Sequence, residues 1–199
     1  MKIKTLLIVI ALGYNLSATA QNANPNREGS ESKNVKNPMH ANGFNYISLG
    51  AELGPILKDS FMGYRFHYGL PLKVYLGRQK KGRFLIRTGV HYFPVPSSDL
   101  LAGLDNIHRL LIPLAVGYRK NIQNWYVEGS LGAGANWSTI NFTDPARPSL
   151  NSSFREINYG LEFGRQWESL DLGLVMYNTG PIPFNMFYGG AKVSYRLKW

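Results

Sequence analysis

Beyond Phe44 the chain alternates apolar and polar side chains with a two-residue period, and it does so in eight separate stretches. That is the period of a β-strand whose two faces meet different surroundings. The last stretch, 187–199, is the clearest. One face carries Phe187, Gly189, Ala191, Val193, Tyr195, Leu197 and Trp199, and the other Tyr188, Gly190, Lys192, Ser194, Arg196 and Lys198. Seven earlier strands are predicted at about 44–54, 64–77, 83–93, 107–119, 124–137, 155–166 and 169–178. Most are longer than the usual soluble strand of about 5–6 residues. They suit a tilted membrane strand, which needs about 9–11.

The connections alternate as well. Tight polar turns are expected at 78–82, 120–123 and 166–169, and longer loops on the other side, such as 94–106 and 138–153. Short turns at one end and long loops at the other are the pattern of an up-and-down transmembrane barrel, with the turns and both termini periplasmic. The predicted fold class is therefore all-β, an eight-stranded antiparallel membrane barrel.

A soluble lipocalin-like barrel alternates too, but inside out. The polar face here is rich in glycine (Gly50, Gly69, Gly89, Gly117, Gly132, Gly160 and others), which suits a crowded lumen better than a solvated sheet. Aromatics also gather near the strand ends. Phe84, Tyr118, Trp125, Trp167 and Trp199 fall on the turn side, and Phe66, Tyr92, Trp137, Tyr159 and Phe187 on the loop side. Two such bands match interfacial girdles.

The N-terminus changes the address. Lys2 and Lys4, the apolar run Leu6–Leu12 and Ala18-Thr19-Ala20 read as a signal peptide cleaved after Ala20. Residues 21–43 hold almost no large apolar side chain and are expected to form a flexible leader, leaving one barrel domain over 44–199. The absence of cysteine excludes a lipoprotein anchor and disulfides. The net charge of +10 falls to +8 when Lys2 and Lys4 leave with the signal. For an exported chain such a balance points to outer-membrane lipids or acidic proteins, not nucleic acid.

The terminal pattern Ala191, Val193, Tyr195, Leu197, Trp199 resembles the signal that barrel-assembly machinery reads in outer-membrane proteins. Arg109-Leu-Leu-Ile-Pro-Leu-Ala-Val-Gly-Tyr118, followed by Trp125-Tyr-Val-Glu-Gly-Ser-Leu-Gly132, is similar to strands of the PorT-like small outer-membrane barrels of Bacteroidota. The resemblance spans roughly 44–199 and implies an accessory barrel serving an envelope complex, in secretion or assembly. The short first connection (55–61) departs from that pattern, so the secretion role is not carried over.

Candidate chemistry sits on the polar face. Glu52, Lys73, Arg87, Arg119, Glu128, Glu162, Asp171, Lys192 and Arg196, with Arg65, are expected to point inward as a salt-bridged core or an ion path. A basic periplasmic face is expected from Arg78, Lys80, Lys81, Arg83 and Lys120, opposed only by Glu168. His67 and His91 face inward, and His108 lies near the loop rim, where Ser97, Ser98 and Asp99 offer ingredients of a hydrolytic triad. The sequence shows no cluster of metal ligands, nucleotide motif or cofactor site. The expected role is a non-conducting structural or docking subunit with an envelope protein partner. The alternatives are a lipid A-modifying enzyme and a soluble exported binding barrel.

Overall fold

The computed structural model describes residues 45–59, 63–77, 82–96, 99–100, 102–181 and 185–198. The predicted signal peptide and leader, Arg78, Lys80, Lys81, Ser97, Ser98 and Trp199 lie outside the described residues. Eight antiparallel strands close into a barrel in chain order: β1 (Tyr46–Lys58), β2 (Phe66–Leu76), β3 (Gly82–Pro94), β4 (Leu104–Ile122), β5 (Trp125–Phe142), β6 (Leu150–Gln166), β7 (Leu170–Thr179) and β8 (Met186–Lys198).

The register fixes the barrel's shape. Following paired residues once around, from Tyr46 through Tyr75, Leu85, Gly117, Ser130, Gly160, Tyr177 and Tyr188, returns to β1 at Ile56, ten residues from the start. Eight strands about 4.8 Å apart, staggered by that amount at about 3.3 Å per residue, tilt by about 41° around a backbone radius of about 8 Å. The 11-residue β2 then spans about 27 Å along the axis, close to the thickness of a hydrocarbon core.

The outward face is apolar and open. Leu70, Leu114, Val116 and Leu174 are each more than 60 % exposed, while Glu52, Lys73, Arg119 and Asp171 inside are at most 3 % exposed. Such a surface is the reverse of a soluble barrel, and a bilayer is the solvent it fits. Aromatic pairs strengthen the turn-side band. Phe84 packs edge-on against its register partner Tyr118 at 5.3 Å, and Trp125 stacks on Phe163 at 5.2 Å. Arg165 lies over the Trp125 and Trp167 rings.

One expected loop is largely strand, and another is shortened. The region 138–153 is mostly a continuation of β5 and β6, with only 143–149 left as a loop, and β4 already starts at Leu104. In Ser138-Thr139-Ile140-Asn141-Phe142 the outward positions Thr139 and Asn141 are polar, because the strand rises above the bilayer and needs no apolar coat there, while Ile140 on the inner face packs against an apolar cluster. The alternation therefore fades while the pairing continues. β4, β5 and β6, with 19, 18 and 17 residues, outrun the other strands and form a three-stranded sheet beyond the loop-side rim.

Candidate functional site

The lumen is filled in layers. At the turn end Tyr46 stacks on Tyr75 at 4.4 Å beside Leu85. Toward the loop end Tyr64, Phe93, Val95, Ile107, Leu111, Val175, Tyr177, Met186 and Tyr188 make one apolar plug. The ionisable residues lie between and beside these layers. The structure buries all nine of the expected interior charges, but it divides them into separate groups.

Glu128 and Glu162 are direct register partners across β5 and β6, an arrangement that repels unless a cation lies between. Lys73 on β2 reaches both carboxylates across the narrow lumen, lying 2.5 Å from Glu162 Oε2, and Lys192 on β8 reaches Glu162. The Tyr75 hydroxyl donates to Glu128 at 2.7 Å, and the Tyr126 hydroxyl to Glu162 at 2.6 Å. Fully buried charges persist only when paired and hydrogen-bonded in this way.

Nearer the turns, Arg119 grips Asp171 with two nitrogens at 2.6 and 3.2 Å and donates to Gln166 at 2.9 Å. Arg196 stands 3.3 Å from the same carboxylate and donates to the Trp167 carbonyl at 2.5 Å. The Arg119 guanidinium also lies 3.6 Å from the Tyr126 ring centroid. Arg87 takes Asn158 as its side-chain hydrogen-bond partner and lies over the Tyr177 ring.

Three expectations need correction. Arg65 is not interior: it is exposed, with Nε 2.5 Å from Asp99, because the alternation breaks before β2 and its neighbour Tyr64 takes the buried position. Arg83 is not part of an open basic face. It is buried, donates to the Gly77 carbonyl at 2.6 Å and lies over Tyr46. The turn end is also less uniformly basic than expected, since Asp171 pairs with both Arg119 and Arg196 and offsets one of their two charges; Lys120 remains exposed.

Of the rim residues expected to supply a triad, Ser97 and Ser98 lie outside the described residues. Asp99 pairs with Arg65, and the His108 ring lies 5.7 Å from that of Tyr92. His67 and His91 are buried in the lumen, away from the rim. There they meet a residue that linear spacing did not connect to them. Glu52 of β1 lies with Oε1 2.9 Å from His91 Nδ1 of β3 and 3.6 Å from His67 Nε2 of β2. No local motif announces this group, because its members are 15 and 24 residues apart along the chain. Only their shared inward parity was readable. The terminal pattern stands on the opposite face, with Ala191, Val193, Tyr195 and Leu197 exposed on the outside of β8.

No protein-family model matches the sequence, and no curated protein matches it. Solved structures do match in shape. Ail, the attachment invasion locus protein of Yersinia pestis, solved with the heparin analogue sucrose octasulfate, aligns over 78 % of this chain and 99 % of its own at 16 % identity and a TM-score of 0.59. OprG of Pseudomonas aeruginosa aligns over 78 % and 97 % at 10 % identity and a TM-score of 0.54. A major outer membrane protein of Thermus thermophilus aligns over 77 % and 99 % at 13 % identity, also at 0.54. The fold is thus that of the small outer-membrane β-barrels.

Proposed function

We propose that the chain is a PorT-like, non-conducting outer-membrane barrel that acts as a structural or docking subunit of an envelope complex. The observation that carries this reading is the sheet beyond the rim. β6 pairs with β7 only from Asn158 onward, so among the described residues Leu150–Glu156 have a ladder partner in β5 and none on their other side. Soluble proteins avoid leaving a strand edge open, because it is a template for another chain to add a strand. Leu150 is 56 % exposed beside it. A filled lumen leaves the outer surfaces as the place where such a barrel works.

Two further surfaces fit the same role. The outward pattern Ala191, Val193, Tyr195, Leu197 would engage barrel-assembly machinery. Lys120, with Lys80 and Lys81 in the expected turn, would face phospholipid headgroups.

The test is photo-crosslinking in native membranes, with a photoreactive residue at Asn151 or Ser153 on the free edge and at Lys120 on the turn side. A defined protein adduct from the edge positions supports docking there. Adducts from Lys120 alone would move the docking surface to the periplasm and refute the edge. Lipid A is expected to keep its mass when the protein is deleted; a shift would favour the enzyme reading.

A further inference from the structure

We propose that Glu52, His67 and His91 form a buried site for a divalent first-row metal ion, with zinc the best chemical fit, which ties β1, β2 and β3 together inside the barrel. Each residue offers one donor atom, and the donors lie within 4.8 Å of one another. Tetrahedral zinc with bonds of about 2.0–2.1 Å sets its donors about 3.3 Å apart. The separations from Glu52 Oε1, 2.9 Å to His91 Nδ1 and 3.6 Å to His67 Nε2, bracket that value. Two imidazoles and one carboxylate are borderline donors suited to zinc and its neighbours.

The hydrogen bonding around the group supports an ion over a plain ion pair. His67 Nδ1 lies 3.0 Å from the Gly54 carbonyl, which can only accept, so that nitrogen carries the proton. In the Nδ1–H tautomer that this bond selects, the Nε2 lone pair faces the Glu52 carboxylate, and a metal ion between the two satisfies both. A carbonyl fixing the far ring nitrogen is the usual second partner of a metal-binding histidine. Neither Glu52 oxygen, nor His67 Nε2, nor either His91 nitrogen has a hydrogen-bond partner in good alignment, though all are buried. Burying so many acceptors unused is costly, and one ion satisfies the three that face each other.

The backbone makes room for the group. Gly69 is the register partner of both Glu52 and His91, so it separates the strands that carry them. A Cβ there would lie 2.5 Å from Glu52 Cγ and 2.8 Å from Oε1, which is the space the carboxylate uses to cross β2. The rings of Tyr188 and Phe93 cover His67 at centroid distances of 4.8 and 5.8 Å. This cover gives the ion a structural role, entering during assembly and exchanging slowly afterwards.

The test uses the full barrel, folded in detergent with Co2+ as the probe and then with Zn2+, its closure verified by heat-modifiable gel mobility. Wild type should take up one equivalent with ligand-field absorption of low-coordinate cobalt, displaced by zinc. Glu52→Gln and His91→Gln should weaken uptake at least about tenfold, while His108→Gln, outside the site, should not. Should the variants fail to close, anomalous diffraction at the zinc edge from wild-type crystals locates the ion directly. A peak between Glu52, His67 and His91 supports the site. No uptake by a closed wild-type barrel, equal uptake by closed variants, or a peak elsewhere would overturn it.

Discussion

Gly69 stands between Glu52 and His91 in the cross-strand register, and any side chain on it would occupy the path by which the Glu52 carboxylate reaches His91. The glycine is thus fixed by what crosses above it, not by backbone angle. Gly69→Ala should destabilise the barrel by about 1–3 kcal/mol through overpacking. Gly129 is the control, because a Cβ there meets nothing nearer than 3.6 Å and Gly129→Ala should stay within about 0.5 kcal/mol. Denaturant midpoints in lipid or micelles, followed by tryptophan fluorescence, decide the matter; equal midpoints would reject the crossing.

The carboxylate pair on β5 and β6 makes a separate demand. Glu162→Gln leaves Lys192 without its ion-pair partner and Lys73 with Glu128 alone, a loss of about 3–5 kcal/mol for a broken buried pair. The double change Glu162→Leu with Lys192→Leu removes a charge of each sign and should cost less than Glu162→Leu alone. Additive losses in that cycle would mean that the two residues are not coupled.

Packing, rather than charge, closes the loop end. Phe93 is fully buried in the plug, against Tyr188 at 5.1 Å and Tyr64 at 6.3 Å. Phe93→Ala should cost about 3–5 kcal/mol in unfolding experiments, whereas Phe84→Ala on the lipid face should cost clearly less. The reverse order would place the protein's main apolar packing outside the lumen.

Exposed cations on the turn side concern lipid. Lys120 and Arg165, the latter over two tryptophan rings, are suited to headgroups, and each is worth about 1 kcal/mol near an anionic surface. Neutralising both to Gln should lower the preference for anionic over zwitterionic vesicles several-fold. The effect should disappear in about 1 M salt, where screening is complete within about 3 Å. A preference unchanged by the substitutions would show that these side chains do not read the headgroups.

The strands were legible because a bilayer on one side and a crowded lumen on the other force strict alternation, as β8 shows from Phe187 to Leu197. Alternation also told that Glu52, Glu128 and Lys192 point inward. It could not tell which charge meets which, since Lys73 finds Glu128 and Glu162 only through the ten-residue stagger of a closed barrel. The plug was hidden for a related reason. Phe93 and Leu111 are apolar residues on the face expected to be polar, where each looks like noise until β3 and β4 bring them together. Above the membrane the lipid constraint lapses, and the outer parts of β5 and β6, with Thr139, Asn141, Asn151 and Ser153 facing outward, read as loop.

If the lumen is closed by the plug, the charged layers and the Tyr46–Tyr75 stack, ions have no continuous aqueous path through it. Planar-bilayer recording of the purified, heat-modifiable barrel measures this directly. Current is expected to stay at the baseline of the protein-free membrane after insertion. Stable, repeatable single-channel steps of porin size would contradict a filled lumen.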